Sequence, residues 1–317
     1  FKYLGNGIRT YTNDDGLAGN AVMTMFKYGN NLFFGTFDNG LTSYFSSLND
    51  PIGYRLVENI KNEKRIWTSA TDWQYRPWIG TLNGVYYYEQ NCGSCPRWFN
   101  FNSSNGLNED LVLSLLPTSQ GMYVGTNKGV QLIQENGIQS FNEIPNFPNT
   151  RIRHMIQARD GAIWMATREG LTKFDGSTFQ SFGEETGWTD PSSFSVVQLP
   201  SGLIAAGTQN GLYVGNEGGF EHKTIHASPG SNTINFLKVI RNHLWIGTLN
   251  GVYLWELDGN GNLGSMVRHL NQSDGLISLE TNLNAILEDY NTVWIGTPSG
   301  VISLDLNTIE SKFQNPI

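Results

Sequence analysis

The stretch "RNHLWIGTLNGVYLWE", residues 241–256, decides the fold. It places a tryptophan before Ile-Gly-Thr, a second glycine within four residues of the threonine, and strand-like apolar residues after that glycine. A near copy, "RPWIGTLNGVYYYE", stands at residues 76–89. Two such copies in one chain indicate an internal repeat, and the period of a repeat determines the whole architecture.

The pattern recurs seven times along the chain. Successive threonines of the pattern are 40 to 49 residues apart, which is the length of one four-stranded propeller blade. Each unit reads as an apolar strand, a turn, the Trp-Ile-Gly-Thr strand, a tight turn, a third strand and a more polar fourth strand. The sequence therefore predicts an all-β protein, a single seven-bladed β-propeller with four-stranded antiparallel blades. The seven threonines are Thr36, Thr81, Thr126, Thr167, Thr208, Thr248 and Thr297.

The repeats also predict the division of the chain into blades. The expected blades span roughly residues 20–60, 61–105, 106–145, 146–186, 187–226, 227–272 and 273–317. Residues 1–19 are expected to help close the last blade, because "GIRTYTNDDGL" at 7–17 resembles a fourth strand and its exit loop. The stretch "TIESKF" at 308–313 has the same character, so the sequence leaves open which terminus closes the ring.

Composition and charge exclude several classes of function. The net charge is −8, and a nucleic-acid-binding surface needs clustered Lys and Arg, so no nucleic acid is expected as a partner. The sequence contains no run of about 18 apolar residues, so no membrane span is predicted. The only two cysteines, Cys92 and Cys95, favour a local disulfide, with free thiols as the alternative. Because no second cysteine pair or His cluster completes a zinc site, neither a metal nor a cofactor is predicted.

The repeated units resemble the two-component-regulator propeller repeat. The resemblance rests on the Trp-Ile-Gly-Thr units and on "DGL" before an inner strand, at Asp15–Leu17 and Asp274–Leu276, and it covers nearly all 317 residues. It implies a ligand-sensing domain of a bacterial hybrid two-component system, in the periplasm or outside the cell. It further implies a small-molecule ligand, such as an oligosaccharide, and a downstream signalling module or a homodimer partner.

A ligand is expected at one mouth of the central channel, where Arg153 stands out among inner-strand positions. Its equivalents, counted eleven residues before the tryptophan position, are apolar in the other six blades, and a desolvated guanidinium requires an anion or acceptor. Arg151 and His154 beside it, and Arg168 in the turn after the second strand, extend this cationic region. A salt bridge to Glu169, or a bulge that turns Arg153 outward, is the structural alternative. The six equivalents are Val22, Trp67, Val112, Phe194, Ile234 and Leu283.

Aromatic residues provide a second set of ligand-binding candidates. Trp67 on an inner strand is included, as are Trp73, Tyr75 and Arg76 in the turn between the first two strands of the second unit. Aromatic faces beside an arginine suit sugar rings or anions. Trp188 lies among polar residues in a loop that leads into an inner strand.

The leading hypothesis is a sensor propeller that binds its ligand without chemistry, and two alternatives stay open. One is a glycoside hydrolase or lyase, which would need two carboxylates about 5–10 Å apart. The other is a protein-interaction scaffold. The acids available in loops are Glu109, Asp110, Glu184, Glu185 and Asp190.

Overall fold

The fold is a seven-bladed β-propeller, as the repeats predict. The computed structural model describes residues 2–3, 7–47, 50–56, 63–89, 97–225 and 232–311. Within these residues, 29 strands form seven antiparallel sheets, six with four strands and one with five. The described residues contain no helix whose length and hydropathy would suit a transmembrane span.

The chain forms two compact units, of which Met23–Ser181 contains blades 1 to 4 apart from the first residue of β3. Blade 1 consists of β3 (Val22–Tyr28), β4 (Asn31–Thr36), β5 (Leu41–Ser47) and β6 (Asp50–Leu56). Blade 2 consists of β7 (Ile66–Thr71), β8 (Pro77–Thr81), β9 (Gly84–Glu89) and β10 (Arg97–Phe101). Blade 3 consists of β11 (Val112–Thr118), β12 (Gly121–Thr126), β13 (Gly129–Gln134) and β14 (Gly137–Ser140). Blade 4 consists of β15 (Ile152–Gln157), β16 (Ile163–Thr167), β17 (Gly170–Phe174) and β18 (Phe179–Ser181).

The other unit, Phe1–Val22 with Phe182–Ile317, contains blades 5 to 7. Blade 5 consists of β19 (Ser193–Gln198), β20 (Ile204–Thr208), β21 (Leu212–Asn216) and β22 (Gly219–Lys223). Blade 6 consists of β23 (Ile234–Ile240), β24 (His243–Thr248), β25 (Gly251–Leu257) and β26 (Leu263–Leu270). Blade 7 consists of β27 (Ile286–Asp289), β28 (Thr292–Thr297), β29 (Gly300–Asp305), β2 (Ile8–Tyr11) and β1 (Lys2–Tyr3), and α1 (Leu306–Ser311) follows β29.

The repeated Gly-Thr motif is a hydrogen-bonded turn between the second and third strands of a blade. All seven threonines are fully buried. In blade 2, Thr81 Oγ1 donates to the carbonyl of Gly84 at 2.9 Å and accepts the N–H of Asn83 at 3.0 Å. Gly84 has a φ of +105°, a conformation that glycine adopts without strain. The glycine before the threonine serves close packing, because a Cβ on Gly80 would lie 2.5 Å from Val112 Cγ1 of blade 3.

The last blade is completed by the N-terminal segment. Strand β2 pairs antiparallel with β29, with Ile8 opposite Leu304 and Tyr11 opposite Val301. The other segment that resembles a fourth strand differs, because Leu306–Ser311 is an α-helix whose Leu306 and Ile309 are buried. Both helix side chains join the apolar cluster that includes Ile8 and Leu304, so the two chain ends share one core.

In blades 2 to 6 a β-bulge at the second residue of the inner strand determines which side chain occupies the position of Arg153. The register shifts between Ile66 and Thr68, and at the same place in blades 3 to 6. The bulged residues are Trp67, Leu113, Arg153, Phe194 and Asn235. In blades 3 and 6 this differs by one residue from the predicted Val112 and Ile234, which are fully buried. The reason is that the bulge lies ten residues before the tryptophan position in these two blades and eleven in blades 2, 4 and 5, so a fixed count of eleven misses it.

Candidate functional site

Two ends of each blade are distinguished below. The upper end is where the first strand begins and the second strand ends at its threonine. The lower end carries the hairpin that joins the first and second strands. In the unit Met23–Ser181 the upper ends of blades 3 and 4 are adjacent, since Ser114 Oγ donates to the carbonyl of Ile152 at 3.2 Å.

Arg153 lies at the upper end of blade 4, in the bulge of β15. Its side chain is half-buried, and Nη1 donates to the carbonyl of Thr167 at 3.1 Å. A bulge was one of the structural alternatives for this residue, and it is present, but it leaves the guanidinium partly desolvated. His154 follows at the next position of β15, opposite Ala166, and is also half-buried.

Two further arginines lie close to Arg153. Arg151 is half-buried and its Nε donates to Asn127 Oδ1 at 2.7 Å, while the backbone N–H of Arg168 donates to the carbonyl of Arg151 at 2.9 Å. Burial, and after it the positive charges of Arg151 and Arg168, together lower the pKa of Arg153 to about 10. We name these three residues the arginine cluster. Like charges held together in a partly desolvated place favour an anion that pairs with them.

Aromatic side chains lie at the upper end of blade 2. Trp67, the bulged residue of β7, packs edge-on against Phe37 of blade 1 with ring centroids 5.3 Å apart. The guanidinium of Arg65 lies 5.6 Å from the centroid of the Phe37 ring. The indole Nε1 of Trp67 is buried, and it has no hydrogen-bond partner among the described residues. Phe37 and Arg65 were not singled out from the sequence, because neither residue departs from the repeat in a recognisable way.

Trp188 has a packing role that accounts for a tryptophan in a polar loop. It is only 3% exposed, its Nε1 donates to the carbonyl of Asp190 at 2.7 Å, and its ring packs 4.4 Å from that of Tyr213 and 5.6 Å from that of Phe220. A ring buried among these partners offers little surface to a ligand.

The remaining candidates, Trp73, Tyr75 and Arg76, lie at the lower end of blade 2. They belong to the hairpin between β7 and β8, and Trp73 and Tyr75 are 63% and 79% exposed. The structure therefore separates most of the sequence-predicted residues into a cationic group at the upper end of blade 4, and a group of two aromatic residues and Arg76 at the lower end of blade 2. Trp67 lies apart from both, at the upper end of blade 2, and Trp188 is buried in packing. Asp72, which organises the lower hairpin, was not singled out from the sequence. An aspartate in a turn commonly accepts the backbone N–H two residues later, so its position was a recognisable signal.

The loop carboxylates have structural partners. Asp110 accepts the N–H and hydroxyl of Ser103 at 2.6 and 3.1 Å, and Glu109 lies 3.5 Å from Lys128 Nζ. Asp190 is buried and accepts from Asn210 Nδ2 at 2.9 Å. Within the described ranges, no three His, Cys, Asp or Glu side chains are grouped as a metal site would require. Cys92 and Cys95 lie outside the described residues.

Similarity to known proteins is detected at the level of structure. No family model matches the sequence, and no curated protein matches it. One similar solved structure is the extracellular domain of the hybrid two component system BT3049 from B. thetaiotaomicron, with a TM-score of 0.73 and 19% identity over 94% of this chain and 42% of that one. Another is the extracellular domain of the system BT4673 from the same organism, with a TM-score of 0.70 and 18% identity over 94% of this chain and 39% of that one.

A third similar structure belongs to an enzyme. Streptogramin B lyase has a TM-score of 0.69 and 10% identity over 94% of this chain and 97% of its own. The chain spans about two fifths of the length of the two sensor structures but nearly all of the lyase. At these identities the likeness concerns the fold, and one fold hosts unrelated activities. The chain has the propeller fold seen in the extracellular domains of these hybrid two component systems.

Proposed function

We propose that this chain is an extracytoplasmic ligand-binding sensor propeller of a two-component-type signalling system, and that its ligand is a saccharide bearing a negatively charged group. The observation that carries the proposal is the partly desolvated guanidinium of Arg153 beside the positive charges of Arg151 and Arg168. An arginine cluster of this kind costs free energy in the empty protein, and a bound carboxylate recovers that cost through charge-assisted hydrogen bonds.

The choice of a saccharide follows from the groups at the same end of the unit. Trp67 and Phe37 provide aromatic rings at the upper end of blade 2, and the buried N–H of Trp67 is a hydrogen-bond donor without a partner among the described residues. Sugar rings pair an apolar face, which suits such rings, with hydroxyls that accept a buried donor. A uronic acid combines these features with the carboxylate that the arginine cluster favours.

Transmission of the signal would require a partner. The chain covers about two fifths of the two sensor structures it resembles, so a downstream module or a second copy of the chain would convert binding into a response. The extracellular location of those domains supports an extracytoplasmic location here. Binding would act by favouring one arrangement of propeller and partner, which needs a ligand with different affinities for the two arrangements.

A thermal-shift screen with product analysis tests the proposal. The probes are oligogalacturonates and oligoglucuronates, with cello-oligosaccharides as neutral controls. A ligand present at 100 times its Kd stabilises the fold by about 2.7 kcal/mol, which is measurable. We expect a shift with a uronate that is lost in Arg153→Gln and kept in Arg159→Gln, which removes an exposed cation from the lower hairpin of the same blade.

Two outcomes would contradict the proposal. No shift with any uronate, or an equal shift in Arg153→Gln, would remove the arginine cluster as the site. Cleaved sugar in the mixture, detected by mass spectrometry, would instead identify the chain as an enzyme.

A further inference from the structure

The lower hairpin of blade 2 presents two aromatic rings to solvent. Trp73 is 63% exposed and Tyr75 is 79% exposed. Neighbouring exposed apolar side chains mark interaction surfaces, and these two rings are two residues apart in one hairpin. Neither ring belongs to the arginine cluster, which lies at the upper end of blade 4.

The hairpin is held in one conformation by Asp72. This carboxylate is only 8% exposed, and its Oδ1 accepts the backbone N–H groups of Gln74 and Arg76 at 3.0 and 2.9 Å. Its Oδ2 accepts Arg76 Nε and Trp78 Nε1, both at 2.8 Å. Five-residue turns are ordinarily the parts of a protein that move most easily, and here one buried side chain fixes the turn at four points.

Tyr75 has a backbone conformation that residues with a side chain rarely adopt. Its φ is +61°, and its N–H donates to the carbonyl of Asp72 at 2.9 Å. A non-glycine residue in the left-handed region is uncommon and costs free energy, so surrounding contacts must hold it there. The Asp72 contacts therefore hold the backbone that carries the two exposed rings in one conformation, which lowers the entropic cost of binding.

A cavity of about 450 Å³ opens beside Trp73, between blade 2 and the lower turns of blade 3. Its floor includes Trp78 and Tyr87, whose rings are stacked with centroids 4.6 Å apart. Its other wall carries the exposed polar residues Gln120, Glu135 and Asn136. The amide and carboxylate groups of this wall suit the hydroxyls of a sugar whose apolar face lies on the exposed ring of Trp73.

A second cavity of about 510 Å³ lies on the other side of the same hairpin, toward blade 1. It is lined by Tyr75 and Tyr88, and by Lys27 and Asn31. The two cavities share Arg76, whose guanidinium pairs with Asp72 at 2.8 Å and with Glu89 at 3.3 Å. The cation common to both cavities is therefore already paired with two carboxylates, and the hairpin favours an uncharged ligand.

We propose that this hairpin is a second binding site, which takes a neutral polysaccharide chain. Successive sugar rings stack on Trp73 and Tyr75 and place hydroxyls in the cavities on either side. The site is independent of the arginine cluster: it lies on another blade, at the opposite end, and selects a ligand of different charge. It would hold the protein on an insoluble or cell-surface glycan whatever the smaller ligand bound at the upper end.

Affinity electrophoresis tests this site. The protein is run in native gels that contain hydroxyethylcellulose, galactomannan, arabinoxylan or yeast mannan, with polygalacturonate as the anionic comparison. We expect at least one neutral polysaccharide to retard the protein, and the apparent affinity to fall at least about tenfold in the double variant Trp73→Ala, Tyr75→Ala. Tyr290→Ala is the matched control, because Tyr290 is 84% exposed with a φ of +53° in the equivalent hairpin of blade 7.

The outcomes distinguish this site from the one at the upper end. Retention that Arg153→Gln keeps and the double variant loses supports the hairpin site even where no uronate binds. No retardation by any neutral polysaccharide, retardation by polygalacturonate alone, or unchanged migration of the double variant would overturn it. So would a dimer of the unliganded protein in sedimentation that becomes a monomer in the double variant, since the rings would then form a protein interface.

Discussion

The indole N–H of Trp78 donates to the carboxylate of Asp72 across 2.8 Å, which ties the lower hairpin of blade 2 to its own second strand. The same carboxylate pairs with Arg76, so one buried acid links backbone, indole and guanidinium. Trp78 is the motif tryptophan of blade 2, and through Asp72 it also supports the exposed hairpin. Stability and binding are coupled at this point of the chain.

Replacement of Asp72 should destabilise the fold according to how many hydrogen-bond donors lose their acceptor. Asp72→Ala leaves four donors without their acceptor, one of them the buried indole N–H of Trp78, and we expect the free energy of unfolding to fall by about 3 kcal/mol. Asp72→Asn keeps a carbonyl oxygen for the backbone and should lose about half as much. Urea unfolding of both variants checks the order, and an alanine variant as stable as the wild type would contradict it.

The arginine cluster should destabilise the empty protein. Burial and the neighbouring charges lower the pKa of Arg153 to about 10, so the cation present at pH 7 carries a free-energy cost. After allowance for solvent screening, Arg153→Gln is expected to raise the free energy of unfolding by about 1 kcal/mol. The measurement is the urea midpoint, with Arg159→Gln as control, which should change stability by less than about 0.5 kcal/mol. A destabilised Arg153→Gln would mean that its hydrogen bond to Thr167 outweighs the repulsion.

The glycine before the motif threonine should tolerate no side chain. In Gly80→Ala the new Cβ would lie 2.5 Å from both Thr68 Cγ2 and Val112 Cγ1, and because Val112 is fully buried the neighbouring blade must shift. We expect a loss of about 2 kcal/mol, and a melting temperature lower by about 3 °C. Gly259→Ala is the control, because no atom lies within 4 Å of its added Cβ. Equal melting temperatures for the two variants would count against the close-packing explanation.

His243 should make the fold sensitive to mild acid. Burial lowers its pKa below the ordinary value of about 6.5, against the opposing effect of Glu310 and Glu256. Below pH 6.5 the unfolded chain therefore takes up a proton before the folded one, and stability falls as the pH decreases through this range. In His243→Gln the decline in the free energy of unfolding between pH 7 and 5 should be shallower. Urea titrations at pH 7, 6 and 5 measure it, and parallel declines for variant and wild type would refute the assignment.

The fold follows from the sequence because the repeated residues each have one local task. A motif threonine bonds to atoms two and three residues away, so its partners are already given by the order of the chain. The aromatic and glycine beside it meet a neighbouring blade that is itself a copy of the repeat. Seven copies therefore specify the sheets and their number without information from distant parts of the sequence.

The candidate sites were harder to predict because they lie where the repeats differ. The bulge lies one residue closer to the tryptophan position in blades 3 and 6, so a fixed count gives Val112 and Ile234 where the bulged residues are Leu113 and Asn235. Trp188 stood out as a tryptophan among polar neighbours, yet its packing partners Tyr213 and Phe220 come from later strands that local sequence does not reveal. The exposure of Trp73 and Tyr75 likewise depends on the conformation of the hairpin, which the hydrogen bonds of Asp72 hold in place.

The pairing of β2 with β29 has a mechanical consequence. Ile8, at the start of β2, lies opposite Leu304, near the end of β29. The segment that precedes β2 and the segment that follows β29 are therefore attached at the same end of this strand pair. A force that pulls these two segments apart would break the hydrogen bonds between β2 and β29 one after another. A force along the strands would have to break all of them at once. Tension on these two segments would therefore separate β2 from β29 at a lower force than a shear geometry requires.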